Sequence, residues 1–347
     1  SESHASAILG DSEVTVTGGA VTASPAPQNS GNIASPALVT SSYVNYQLTE
    51  QLYAGVSINA PFGLTTKPDQ FYDGALLGST SRLLTFNAAP TIGYKIAPGL
   101  SVAAGIQVQY ITAKLSTENA ALGTVRVEAD DIGVGFTAGI LYQPSSWTSI
   151  GLGFRSSISH TLEGDQTNAL GRDDVEASAD LPEIVTFSFK QNLTQQFAVL
   201  GTVEWTNWSR IQSVGIICQN GQAGVCAPGG ELSSLDLHYD DGWFFSLGFE
   251  YAYTPATKIR AGFAYEISPA RGDESRTVRL ADNDRYWFSA GVGHKLTDTM
   301  EIDLSYTHIA VEDGGIETRN ATGALLLAGD VESSVNIFSA ALKMKLQ

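Results

Sequence analysis

WFFSLGFEYAYTPATKIRAGFAY, residues 243–265, reads as two strands joined by a tight turn. Trp243, Phe245, Leu247, Phe249, Tyr251 and Tyr253 share one parity, while Phe244, Ser246, Gly248, Glu250 and Ala252 share the other. After Thr254-Pro255-Ala256, Ile259, Ala261, Phe263 and Tyr265 alternate with Lys258, Arg260, Gly262, Ala264 and Glu266. Successive side chains of a strand point to opposite faces, so each strand has one greasy face and one small or polar face. A water-soluble sheet can alternate in this way with its apolar face turned inward. Here aromatics crowd the apolar face near the strand ends, and glycine, serine and charge fill the other. That is the pattern of a barrel turned inside out, with lipid outside and a polar lumen.

The same grammar recurs along the chain. Leu100, Val102, Ala104, Ile106, Val108 and Tyr110 oppose Ser101, Ala103, Gly105, Gln107 and Gln109. Ile150, Leu152, Phe154 and Ile158 oppose Gly151, Gly153, Arg155, Ser157 and Ser159, and Met300, Ile302, Leu304 and Tyr306 oppose Glu301, Asp303, Ser305 and Thr307. No charge falls on the apolar parity of these runs. An Arg or Lys facing lipid at the midplane costs about 2–4 kcal/mol, which gives the segregation a physical cause. Strands are predicted at 12–22, 36–48, 52–60, 83–96, 100–114, 131–143, 148–161, 183–191, 196–210, 242–253, 257–267, 285–296, 300–312 and 333–346, about 14 in all. An even number suits a single-chain bacterial barrel. Turns such as Ala97-Pro98-Gly99 and Thr297-Asp298-Thr299 are tight, and several follow a strand-ending Tyr46, Tyr94, Tyr142 or Tyr253, as an interfacial girdle would. The intervening loops are long and rich in Asp, Gly, Ser and Asn. The expected fold is an all-β, antiparallel, up-and-down transmembrane barrel with long extracellular loops, one domain over 1–347, in the bacterial outer membrane.

Composition agrees. In 347 residues there are 35 Gly and only 16% charged residues, and no run of about 18 apolar residues exists to cross a membrane as a helix. The net charge of −17 excludes nucleic acid as a partner, because nothing here would track phosphates. Much of the acid (Glu128 to Asp131, Asp173 to Glu176, Asp236 to Asp241, Asp273 to Glu274) falls in the expected loops, where solvation explains it better than a cation site. Cys218 and Cys226 bracket CQNGQAGVC with no histidine nearby, so a local disulfide in an oxidising compartment is expected, not zinc. No metal or cofactor is expected. Ser1 opens no signal peptide, so an exported chain is expected to be processed or trimmed there.

Several blocks resemble the long-chain fatty-acid transporter family of outer-membrane barrels (FadL/TodX-type). They are APFG at Ala60 to Gly63, AAPTIGYKI at Ala88 to Ile96, GILYQPSSWTSIGLGFRSSISHTLEG at Gly139 to Gly164, VEWTNWS at Val203 to Ser209, and RAGFAYEISPARGDESRTVRLADNDRYWFSAG at Arg260 to Gly291. Each alone is weak; the ordered set, spread from about Ser35 to Leu346, is strong. The resemblance implies passive uptake of hydrophobic compounds, long-chain fatty acids or aromatic hydrocarbons. It also implies capture among the extracellular loops, a pocket in the barrel, and sideways exit at a kink in the third strand. Members of that family begin with a lumen-filling plug ending in Asn-Pro-Ala, and Ser1 to Gly10 contains no such motif, so the plug is expected to be absent from this chain. Lys345-Leu346-Gln347 also replaces the family's terminal aromatic, which suggests trimming or a scar.

Candidate sites follow. Ala60, Pro61, Phe62 and Gly63 either end the third strand or bend it into a lateral opening, since proline donates no ladder hydrogen bond and glycine weakens a strand. Pro90 in the next strand would deny the wall another bond. Inward charges (Arg155, Lys190, Glu204, Glu250, Lys258, Arg260, Glu266, Glu301, Asp303) either stiffen the lumen as ion pairs or, at Arg155 or Arg260 with Lys258, grip a carboxylate. Leu141, Trp208, Phe244 and Trp287 share the inward parity and could hold an apolar tail. Arg276, Arg279 and Arg285 could pair with Asp282 and Asp284 or meet lipopolysaccharide phosphates. The partners expected are a hydrophobic small molecule, or detergent in its place, and outer-membrane lipid and lipopolysaccharide around a monomer. Two rivals remain: a porin for polar solutes, and a lipid hydrolase built on Ser-His neighbours at His160 or His308.

Overall fold

A computed structural model describes residues 1–20, 28–68, 71–221, 226–280, 282–320 and 322–345; Val21 and Thr22 of the expected first strand and Leu346 of the expected last lie outside the described residues. The alternating segments pair into one antiparallel sheet that closes on itself in fourteen passes. The first two passes are β1 (Glu2–Gly18), with the short β2 (Asn29–Asn32) beside it, and β3 (Ala37–Gln47). The third is split into β4 (Leu52–Asn59) and β5 (Gly63–Thr66), and β6 (Ser81–Ala97), β7 (Leu100–Asn119) and β8 (Gly123–Ser145) follow unbroken. The seventh to tenth are each broken in two: β9 (Thr148–Arg155) and β10 (Ile158–Asn168), β11 (Gly171–Leu181) and β12 (Ile184–Asn192), β13 (Phe197–Thr206) and β14 (Ser213–Cys218), β15 (Glu231–Asp236) and β16 (Gly242–Ala252). The last four are β17 (Thr257–Ile267), β18 (Arg285–Lys295), β19 (Met300–Val311) with β20 (Gly314–Arg319), and β21 (Leu325–Met344). β1 pairs with β21 on one side and β3 on the other, which leaves no free edge at the seam.

The expected first strand at 12–22 instead begins at Glu2. Ser3, His4 and Ser6 carry little hydrophobic pattern, and the neighbours on both sides recruit them by supplying partners for every backbone group. Acidic stretches expected as loops are also strand: Glu128 to Asp131 lie in β8 and Asp173 to Glu176 in β11. There the hairpins continue the ladder above the membrane, where water bathes their outer face and carboxylates are tolerated.

A belt of exposed apolar side chains circles the outside, among them Ile106, Val134, Phe187, Leu247, Phe263 and Phe338. A contiguous apolar surface of this extent fits lipid, not water. Tyr46, 71% exposed, and Tyr253, 65% exposed, mark its rim at the end where the short turns lie. One of those turns needs its glycine: Gly99 sits at φ +77°, and a Cβ there would stand 2.2 Å from the Gln143 carbonyl oxygen.

The opposite mouth is packed. Val14, Val16, Ile316, Leu327 and Val331 on the wall bury Ile33, Tyr72, Ala75 and Val278 from segments folded over the opening. Arg279 straddles this roof, donating to the Thr80 and Ser116 carbonyls and to the Ser81 and Thr117 hydroxyls at 2.7–3.1 Å. With only neutral acceptors around it, burial pushes its guanidinium down to about 10. Arg276 is also buried and spans Asp273, Asn283 and three carbonyls, while Arg285 pairs with Asp282.

Candidate functional site in the barrel lumen

The third pass breaks where Ala60-Pro61-Phe62 interrupts it. β3 pairs with β4 up to Ser42–Ile58, and beyond that point β3 has no ladder partner in the third pass among the described residues. Among the described residues the wall meets again only at the bridge Ala34–Thr66 and the bond from Lys67 N to Ile33 O at 2.7 Å. β6 holds the far side of the break in place: Thr85 Oγ1 accepts from Phe62 N at 2.9 Å and donates to Phe62 O at 2.7 Å. Phe62 turns its ring into the lumen, edge-on to Trp208 at 5.6 Å, so the kink reaches the ninth pass. Pro90 sits opposite Val56, and the β6–β7 ladder skips Ala89 and Pro90, as expected of a residue without an N–H.

The lumen charges divide sharply. Arg260 donates to Glu250 at 3.0 Å and also to Asp303; Lys190 and Lys258 reach Glu250 at 2.9 and 3.4 Å, and Lys343 reaches Asp303 at 2.9 Å. Gly293 clears the path, since a Cβ there would stand 2.4 Å from Asp303 Oδ1 and 3.1 Å from Arg260 Nη1. Arg260 and Lys258 are therefore spent on a structural network. Arg155 is not: its Nη1 is buried with no hydrogen-bond partner, and no ion pair forms at it among the described residues. A buried, unsatisfied guanidinium N–H is costly, so Arg155, unlike Arg260 and Lys258, keeps a donor that an acceptor group reaching it would satisfy.

The expected tail-binding residues fall into two places. Trp208, Phe244 and Trp287 line a cavity of about 290 Å³ with Glu204, Glu266 and Thr202. Leu141 lines a separate, more apolar cavity of about 570 Å³ near the short-turn end, with Tyr53, Lys95 and a floor of Gly93, Gly139, Gly151 and Gly153. Inward glycines thin the wall there. Sequence parity alone did not single out Tyr53 or Lys95, although both occupy inward positions of their strands.

One expectation is reversed. The alternation puts Ile158 toward lipid and Ser159 toward the lumen, yet Ile158 is 3% exposed and packs inward with His160 and Leu162, while Ser159 faces out. The cause is a bulge at Ser156-Ser157. β8 pairs Thr137 with Arg155 below it and Asp130 with Glu163 above it, one residue out of step. Gly133 and Gly135 make room for the folded-in chain, as a Cβ at either would collide with Ile158. His160 Nδ1 meets Asp131 at 2.9 Å and Nε2 meets Gln109 at 3.2 Å, and His308 meets Asn336, so neither ring addresses a serine. Outside the lumen, Cys218 and Cys226 are disulfide-bonded with Cα atoms 6.1 Å apart, pinning the end of β14.

Known proteins place this architecture. The chain is 26% identical over 352 residues to the long-chain fatty acid transport protein of Escherichia coli O6:H1, covering 88% of this chain and 76% of that one. It is 23% identical over 349 residues to outer membrane protein P1 of Haemophilus influenzae, covering 88% and 72%. In fold it is similar to a crystal structure of a Pseudomonas aeruginosa FadL homologue (TM-score 0.86, 18% identity, 100% and 90% covered). It is also similar to that of the Pseudomonas putida toluene transporter TodX (TM-score 0.72, 15% identity, 100% and 90% covered). The family model described as outer membrane protein transport protein (OMPP1/FadL/TodX) matches residues 1–346, and the chain belongs to this family: it is a bacterial outer-membrane transport barrel, not an enzyme.

Proposed function

We propose that this protein is a passive channel that takes hydrophobic compounds into its lumen and releases them sideways into the outer membrane through the break between β3 and β5. The carrying observation is the unpaired stretch of wall between Ser42–Ile58 and Ala34–Thr66, with Phe62 at its inner lip. A strand edge without a neighbour leaves a slot that an apolar solute can use without crossing the charged floor at Glu250, Arg260 and Asp303. Relatives named for long-chain fatty acids and for toluene support an apolar cargo. Arg155 is the head-group residue for an acidic cargo, with Trp208, Phe244, Trp287 and Leu141 against its apolar part; Lys258 and Arg260 hold the wall. The solute's gradient is the only energy source. Outer-membrane lipid receives the cargo, lipopolysaccharide surrounds the outer rim, and the closed barrel works as a monomer.

The test is uptake by cells whose own channel of this type is deleted. Expression of this chain is expected to raise uptake of oleate or toluene above the empty-vector strain and to leave sugar permeation unchanged. Sugar permeation rising without hydrophobe uptake would establish the polar porin instead.

A further inference from the structure

The cavity behind Trp208 has chemistry that a hydrocarbon does not need. Its walls are aromatic: Phe244 and Trp287 meet edge to face at 5.7 Å and 90°, and Trp208 is held by Phe62 on one side and Tyr239 at 6.3 Å on the other. Gly242 lets the Trp208 indole lie there, because a Cβ would stand 2.8 Å from its Cδ1. Two carboxylates share these walls. Glu266 accepts from Trp287 Nε1 at 3.1 Å and has Arg285 at 3.6 Å, so the N–H edge of the Trp287 indole is tied down where the ring lines the cavity. Glu204 accepts from the Thr186 hydroxyl at 2.7 Å and forms no ion pair among the described residues. Arg155 interacts with it only at longer range, and is not among the residues lining the cavity.

We propose that this cavity binds hydrophobic organic cations, in particular compact aromatic compounds carrying an ammonium group. The proposal rests on the channel reading above and adds a cargo class to it. Aromatic faces attract a cation through their negative quadrupole, and they do so best where water is thinned out. A carboxylate with a single hydroxyl partner supplies the counter-charge, while an anionic head at the same place would meet the like charge of Glu204, which no cation pairs among the described residues. At about 290 Å³ the space lies at the small end of ligand pockets, which run roughly 300–1,000 Å³, so a compact ligand suits it.

Calorimetric titration of the full chain in a non-ionic detergent tests this with three ligands of one shape class: benzyltrimethylammonium, its neutral isostere neopentylbenzene, and phenylacetate. The cation is expected to bind at least about tenfold tighter than the isostere, with phenylacetate weakest. Glu204→Gln combined with Glu266→Gln is expected to shrink that preference to the part the aromatic faces alone supply and to keep binding of the isostere. Equal binding of cation and isostere, a preference for phenylacetate, or a preference undiminished by both substitutions overturns the proposal. If the double variant does not fold, the ranking by the unaltered protein decides alone. Cellular uptake of neopentylbenzene separates the two readings: no uptake of it counts against the channel, whereas uptake and binding without any advantage to the cation count against the cation site only.

Discussion

Arg155 and Arg260 point the same charge into the same lumen and meet opposite surroundings. Glu250 and Asp303 bracket Arg260, whereas Arg155 keeps a buried Nη1 without a partner. Arg155→Ala is expected to weaken fatty-acid binding by about tenfold or more, the worth of one charge-assisted hydrogen bond, with little loss of stability. Arg260→Ala should do the reverse. It leaves affinity nearly unchanged and costs about 1–2 kcal/mol of barrel stability, less than a fully buried pair because lumen water screens it. Denaturant titration alongside ligand binding separates the two. The sequence placed both arginines inward by parity and left open which of them is spent. Glu250 was within reach of such reasoning, because the Thr254-Pro255-Ala256 turn sets it opposite Arg260. Asp303 was not, since it lies across an intervening strand and depends on Gly293 being bare.

At the scale of elements, the seventh pass shows how one extra residue reconciles two environments. Below Ser156 the apolar parity faces lipid; above it water lies outside, and Ile158 and Leu162 must turn inward. Deleting Ser157 would return Ile158, His160 and Leu162 to the outer face, and the variant is expected to lose heat-modifiable folded barrel on electrophoresis, where Ser156→Ala keeps it. That switch was illegible in the sequence, because the alternation runs through 150–162 without interruption while its meaning inverts at the membrane boundary. The strands themselves were legible wherever one face met lipid. The extracellular extensions were not, because polar hairpins bathed by water on one side look like loops. In those extensions Glu163 lies directly opposite both Asp130 and Glu176 with no cation paired to any of the three among the described residues, whereas Asp165 and Glu128 each hold one, Arg172 at 3.1 Å and Lys114 at 2.7 Å. Like charges face to face destabilise a ladder, and salt screens them over about 10 Å at 0.1 M. Amide-exchange protection of β10 and β11 is therefore expected to rise with ionic strength; protection falling with salt would contradict this.

For the whole molecule, the barrel is roofed at one mouth, charged at its floor and broken in its side wall. The roof depends on Arg279, whose four bonds tie the segment after β17 to β6 and β7. Arg279→Ala should loosen residues 273–280, seen as faster amide exchange there with the transmembrane ladder unchanged. The break is the account's centre, and it can be locked. Continuing the β3–β4 register past Ser42–Ile58 would set Thr40 opposite Ala60. A reducible thiol cross-linker between Thr40→Cys and Ala60→Cys would bridge the slot. The decisive measurement is hydrophobe uptake by cells carrying that pair, before and after reduction. Sideways exit predicts uptake near the empty-vector level while the bridge holds and recovery once it is cut; uptake unaffected by the bridge would contradict it.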